Sequence, residues 1–144
     1  MALDYALLDV FANAPFQGTQ IPVVKLEGVS TSDASKMAIA SEFQQTETVF
    51  IEPGKDMPVS VFNGKGQQLF GAHTILAASY VAYEMGLAKD EGAFVSFLLK
   101  QNEQLIESFI DKGKSDSGSI QFARVLSPTV DRYTPEIPRL AAAL

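Results

Sequence analysis

Cysteine is absent from this chain of 144 residues, and histidine occurs once. Without cysteine the chain has no disulfides, thiolate metal ligands or thiol nucleophiles, which excludes the paired-thiol mechanism of racemases. A zinc or iron site would have to be built mostly from carboxylates, and the sequence shows no such cluster. We therefore expect no bound metal.

Basic clusters and long apolar runs are lacking as well. The chain has 11 basic and 17 acidic residues, which gives a formal net charge of −6 at pH 7. Nucleic acids and anionic membranes attract basic surfaces, so neither is an expected partner. No apolar run approaches the roughly 18–20 residues that cross a bilayer, and the first residues carry no basic segment typical of a signal peptide. We expect a cytoplasmic protein.

The residues that are present favour one packed domain. Hydrophobic residues make up 47% of the chain and charged residues 19%, a balance typical of a globular core. A tail or linker is predicted at residues 126–144, which contain three prolines, so a single lobe is expected to span residues 1–125. Within that lobe, the apolar patterns predict helices at 34–43 and 72–85, a loop at 112–118, and strands at 5–11, 21–26, 47–51, 59–62, 94–99, 105–110 and 120–123.

The helix predicted at residues 72–85 is apolar on almost every side. Such a helix is normally enclosed by other elements. The order of elements therefore favours an α+β fold, in which a mostly antiparallel sheet curls around one buried helix.

Two short motifs carry the candidate chemistry. Glu47 begins a predicted strand; such a carboxylate is usually a solvated edge residue, but the apolar residues after it favour a partly buried proton carrier. His73 lies in the first turn of the apolar helix, just after Gly71. A lone histidine is more often structural, yet the free N–H groups and the dipole of a helix start favour a bound anion.

Two other features of the sequence do not indicate a functional site. Gly64-Lys65-Gly66 lacks the other residues of a phosphate-binding motif and predicts a turn. A nucleophilic serine has little support, because the sequence contains no Gly-x-Ser-x-Gly motif.

Three segments together resemble the PhzF-like family of the diaminopimelate epimerase fold. Residues 9–18 match its opening D-x-F-x-x-x-P-F-x-G pattern, and residues 45–50 are similar to its S-E-T-x-F strand. Residues 62–76 are similar, without a gap, to its F-T-P-x-x-E-x-x-F-A-G-H-P-T-L segment. The combination is specific, although each segment alone is weak.

The resemblance implies a lobe in which a sheet forms a barrel around a central helix. A full member has two such lobes, with the active site between them. Glu47 matches the residue that shuttles a proton in the isomerisation of a dihydro-hydroxyanthranilate-type substrate. Gly71, Ala72, His73 and Thr74 correspond to the substrate-binding segment, and no cofactor is implied.

The sequence departs from the family pattern in ways that leave two hypotheses open. Ala72 stands where the family has glycine and Gln67 where it has an acid, and the resemblance covers only the N-terminal half of a member. The first hypothesis is an isomerase that uses Glu47 on a small anionic metabolite and forms a homodimer in place of the second lobe. The alternative is a non-catalytic, dimeric half-enzyme that binds or senses a small molecule.

Overall fold

A computed structural model gives the arrangement of the chain and describes residues 2–12, 14, 16–28, 30–54, 57–87, 89–90, 92, 94–102, 104–111 and 123–126. These residues form two helices, α1 (Asp33–Phe43) and α2 (Ala72–Glu84). The strands, in chain order, are β1 (Asp4–Val10), β2 (Thr19–Lys25), β3 (Thr48–Ile51), β4 (Val59–Asn63), β5 (Gly66–Gln68), β6 (Lys89–Asp90), β7 (Phe94–Gln101), β8 (Gln104–Asp111) and β9 (Ala123–Leu126).

The first sheet has five strands in the order β1-β2-β3-β4-β5. Its β2 and β3 run parallel, and α1 connects them, because a parallel pair needs a crossover rather than a tight turn. The other three pairings in this sheet are antiparallel. The parallel register pairs Val23 with Val49 and Lys25 with Ile51, so the short β3 lies beside the second half of β2.

The second sheet joins β6, β7, β8 and β9 in that order, and all of its described pairings are antiparallel. One isolated parallel bridge, between Pro58 and Lys100, links it to the first sheet. There the Lys100 N–H donates to the Met57 carbonyl at 3.2 Å. Pro58 itself faces β3, since its carbonyl accepts from the Glu52 N–H at 2.8 Å.

The two faces of the first sheet are buried in different ways. On one face, side chains including Ile21, Val23, Val49 and Ile51 pack with α2 in the larger core cluster. On the other face, Val24, Phe50 and Phe62 pack with α1. Because β2 and β3 are covered on both faces, their sequences are continuous apolar runs rather than alternating ones.

Helix α2 lies between the two sheets. It contacts β1, β2 and β3 of the first sheet and β8 and β9 of the second. Its buried residues are Thr74, Ile75, Ala77, Ala78, Ser79, Val81 and Ala82. The expected enclosure therefore holds for most of the helix, while Tyr83 and Glu84 in the last turn are exposed.

The α+β class, both helices and the mostly antiparallel pairing agree with the sequence prediction. A single sheet closed into a barrel is not found among the described strands, which hydrogen bond into two sheets. The short strand β5 is not among the predicted strands. Of the strand expected at 120–123, Ala123 lies in β9. The loop at 112–118, residues 120–122 and the tail from 127 lie outside the described residues. The domain boundary at 125 stays a prediction.

Candidate functional site

Glu47 reaches the site from the start of β3. Helix α1 ends at Gln44, whose left-handed backbone (φ 54°) turns the chain back toward the sheet. Side chains alternate along a strand, so Glu47 lies on the same face as Val49 and Ile51, the face that packs on α2. Its side chain is 16% exposed, which leaves the carboxylate reachable but largely withdrawn from water.

His73 reaches the same place from the first turn of α2, and hydrogen bonds to Thr74 define that helix end. The Gly71 N–H donates to the Thr74 hydroxyl oxygen at 2.9 Å, and the same hydroxyl donates to the Gly71 carbonyl at 3.0 Å. The first turn of the backbone ladder closes where the Ile75 N–H donates to the Gly71 carbonyl, also at 3.0 Å. The N–H groups of Ala72, His73 and Thr74 precede that bond and have no acceptor within the helix.

Glu47 and His73 are in direct contact. Glu47 Oε2 lies 2.5 Å from His73 Nε2, and the His73 side chain is 35% exposed. An ionised carboxylate can only accept, so in that state His73 Nε2 carries the proton and donates it. The arrangement joins a proton acceptor and a proton donor at a helix N-terminus, where the backbone favours negative charge.

Gly71 makes room for the imidazole ring. A Cβ atom at this position would lie 2.7 Å from His73 Cε1 and 3.0 Å from His73 Nδ1, closer than side chains normally approach. The backbone of Gly71 is extended (φ −103°), so an added side chain would collide with the ring of His73 without straining the backbone. The absent side chain allows His73 to turn toward Glu47.

Gln101 supports the segment before the site, although sequence reasoning missed it. This buried residue at the end of β7 accepts from the Phe70 N–H at 3.1 Å through Oε1. It also donates to the Gln68 carbonyl at 2.9 Å through Nε2. Both bonds span more than thirty residues of sequence, so a glutamine after an apolar strand gave no local signal of this role.

The opening motif closes the loop between β1 and β2. Asp9 Oδ1 accepts from the Gly18 N–H at 2.9 Å. A Cβ atom at Gly18 would lie 2.3 Å from the Val10 carbonyl oxygen, so the close approach requires glycine. Two aromatic side chains of this loop remain exposed, Phe11 by 66% and Phe16 by 87%.

The loop between β1 and β2 lies at the same end of the first sheet as Glu47. Strand β1 ends and β2 begins there, and β2 runs parallel to β3, which starts directly after Glu47. The N-terminus of α2 also lies at this end, because His73 contacts Glu47. Leu69, two residues before Gly71, is 79% exposed. The exposed aromatic side chains of this loop, Phe11 and Phe16, therefore lie at the same end of the sheet as the contact between Glu47 and His73.

Two further observations concern the described residues alone. Within the described ranges, no group of three His, Asp or Glu side chains is arranged to hold a metal ion. Neither α1 nor α2 is long and apolar enough to cross a membrane.

Comparisons with solved structures show which fold the chain shares. A phenazine biosynthesis protein of the PhzF family from Enterococcus faecalis is 19% identical with a TM-score of 0.67, over 78% of this chain and 42% of that one. A protein described as a predicted epimerase from Pseudomonas aeruginosa is 22% identical with a TM-score of 0.70, over 86% of this chain and 42% of that one. Methylitaconate-delta-isomerase is 9% identical with a TM-score of 0.50, over 71% and 33%.

This chain thus spans less than half the length of each of these structures, in agreement with a resemblance to one half of a two-lobed member. A search of curated proteins finds no significant match. The family model of phenazine biosynthesis-like proteins, however, matches residues 8–142, nearly the whole chain. The chain therefore belongs to the phenazine biosynthesis-like protein family.

Proposed function

We propose that this chain provides the acid–base half of an isomerase site, in which Glu47 moves a proton between two positions of a small anionic metabolite. The observation that carries the proposal is the contact of Glu47 with His73 at the start of the central strand β3. General acid–base catalysis requires a positioned side chain that can take and return a proton, and Glu47, held by its hydrogen bond with His73, is such a side chain.

The proposed reaction balances without a redox partner. The Glu47 carboxylate removes a proton from a carbon next to an electron-withdrawing group, and the C–H electron pair moves into the substrate's conjugated system. The protonated Glu47 then returns the proton to a different carbon of the same molecule. No electrons are gained or lost, so proton transfer alone completes the isomerisation.

The N-terminus of α2 supports an anionic substrate. The N–H groups of Ala72, His73 and Thr74 have no acceptor within the helix, and they lie next to the proposed proton carrier. Negative charge that develops on the substrate when Glu47 removes the proton is stabilised by these donors and by the helix dipole. Gly71 and Thr74 act differently in this proposal, since they fix the helix end that presents the donors.

The similar structures support the reaction class. One is described as an isomerase and another as a predicted epimerase. Both words name rearrangements of a single substrate, and the proposed proton shuttle at Glu47 is one way to achieve such a rearrangement.

We further propose that two copies of this chain form a homodimer through the open end of the first sheet. Phe11 and Phe16 of the loop between β1 and β2 are exposed at that end, and large exposed apolar groups mark association surfaces. A second copy would cover them and exclude water from Glu47, which strengthens electrostatic interactions in the site. In this proposal the occupant is a second copy of this chain, related by a two-fold axis, so that the same exposed residues of both copies meet.

One observation favours the alternative, a non-catalytic protein that binds a small molecule. Gln67 stands where the family pattern has an acid, and its Nε2 donates to Asn102 Oδ1 at 3.3 Å. It lines a cavity that does not include Glu47 or His73. A protein of this kind would bind the ligand without exchanging its protons with solvent.

Replacing Glu47 by glutamine tests the proton shuttle. Dihydro-hydroxyanthranilate in heavy water is the probe, and deuterium entering its carbon positions is followed by NMR. The native chain is expected to catalyse incorporation, and Glu47→Gln to reduce it by at least about 100-fold, because an amide does not carry the proton. The matched control is Glu42→Gln, which changes an exposed glutamate of α1. Binding without exchange by the native chain would support the non-catalytic alternative, and equal exchange by Glu47→Gln would remove Glu47 from the mechanism.

Replacing Gly71 by alanine tests the positioning of His73. The new methyl group has to push the imidazole away from its present place, since it would meet ring atoms at 2.7 and 3.0 Å. Moving the imidazole is expected to reduce deuterium incorporation into the substrate by about 100-fold. The free energy of unfolding is expected to fall by no more than about 1 kcal/mol. Gly64→Ala is the control, because a Cβ atom at Gly64 would have its nearest neighbour, Ser41 Oγ, at 3.4 Å, an ordinary contact distance. Full activity of Gly71→Ala would contradict the need for the Glu47–His73 contact.

Replacing Phe16 by serine tests the proposed dimer. Loss of a large aromatic anchor from an interface is expected to weaken association by about 10-fold or more, measured by light scattering across a range of protein concentrations. The control is Leu98→Ser, which changes an exposed apolar residue of the second sheet. A native chain that stays monomeric at every concentration, or a dimer that Phe16→Ser leaves unchanged, would contradict association through this end.

A further inference from the structure

A cavity separate from the Glu47–His73 pair lies where α1, β4, β5 and the end of β7 meet. Its volume is about 380 Å³, within the ~300–1,000 Å³ typical of small-molecule pockets. The side chains that matter for its chemistry are Asp33, Lys36, Glu52, Ser60, Lys100 and Asn102. With Gln67, the wall thus holds two cations, two carboxylates, a hydroxyl and two amides.

Lys36 is the unusual member of this wall. It lies on α1 and is buried, with a side chain only 9% exposed, although lysine is almost never buried without strong partners. Removing an ammonium group from water costs several kcal/mol unless nearby groups replace the lost hydration. The neighbours of Lys36 therefore have to replace the hydration that its ammonium group loses on burial.

The groups around Lys36 replace that hydration only in part. Lys36 Nζ lies 3.4 Å from Glu52 Oε1 and 3.3 Å from Ser60 Oγ, longer than the ~2.7–2.9 Å of a strong charge-assisted hydrogen bond. The Phe50 and Phe62 rings lie 6.0 and 5.8 Å away, at the outer limit of cation–π attraction. An ammonium has three N–H donors, and within the described part of the chain two acceptors engage them.

The cavity is remote from the proposed proton-transfer site. Glu47 precedes β3 and Glu52 follows it, which separates them by about 16 Å along an extended strand. The two residues also lie on opposite faces of the sheet, because their positions differ by an odd number. Lys36 packs with Phe50 and Phe62 on the α1 face, whereas His73 belongs to α2 on the other.

We propose that this cavity binds a small zwitterion that carries a carboxylate and an ammonium group, the chemical class of free amino acids. The ligand carboxylate takes the remaining donor of Lys36 and the charge of Lys100. The ligand ammonium faces the carboxylates of Asp33 and Glu52. Balanced wall charges disfavour a polyanion, because Asp33 and Glu52 would repel it.

The test is isothermal titration calorimetry of the full chain with the standard free amino acids, each probed separately. Succinate and inorganic phosphate serve as simple-anion probes. We expect at least one amino acid to bind with one site per chain. Lys36→Met and Lys100→Gln are each expected to weaken that binding by about 10-fold or more, the effect of losing a hydrogen bond to a charged group. Lys100 is half-buried at the cavity rim, so Lys100→Gln remains informative if Lys36→Met does not fold.

Two control variants show whether the amino acid binds in this cavity. Lys65→Gln removes an exposed lysine from the turn between β4 and β5 and is expected to leave binding unchanged. Glu47→Gln is also expected to bind the amino acid normally, so failure of the proton-transfer proposal would not affect this result. The proposal is overturned if no amino acid binds at millimolar concentration, if only succinate or phosphate binds, if Lys100→Gln binds as tightly as the native chain, or if Glu47→Gln abolishes binding.

Discussion

The packing of α2 against the first sheet is the constraint on which the site depends. Buried side chains of the helix, including Ile75, Ala78 and Val81, share one core cluster with Val23 and Val49 of the central strands. Each buried aliphatic side chain contributes about 1.5–3 kcal/mol relative to its exposure, so the helix cannot slide or rotate cheaply. Its first turn is consequently fixed above the start of β3.

Local contacts then set the orientation of the first turn of α2, which the core packing places only approximately. Thr74 fixes the backbone of Gly71, the missing side chain of Gly71 admits the imidazole of His73, and Gln101 holds the segment that leads into the helix. None of these contacts involves a large area or a strong ion pair. Their effect is orientation, because the distance between Glu47 and His73 responds directly to any shift of the helix end.

The sequence predicts the elements better than their assembly. Both helices and most strands lie within a few residues of the expected bounds, because apolar runs and turn residues act locally. Pairing is a long-range property, so the parallel alignment of β2 with β3 and the division into two sheets do not follow from those runs.

The same contrast applies to the candidate site. Residue type and position single out Glu47 and His73, but their contact joins residues 26 apart and depends on the tertiary fold. Gln101 and Lys36 give no signal in the sequence, since a glutamine after a strand and a lysine in a helix are ordinarily exposed. Their burial is decided by neighbours from distant parts of the chain.

The presence of one histidine allows a direct measurement of the central contact. In protein labelled with ¹⁵N-histidine, the ring nitrogens of His73 give the only imidazole signals. The account predicts that Glu47→Gln changes the Nε2 chemical shift, because the carboxylate that contacts this nitrogen is replaced by an amide, whereas Glu42→Gln leaves it in place. An Nε2 signal that is identical in the native chain and in Glu47→Gln would show that the two side chains are not in contact, and would contradict the account.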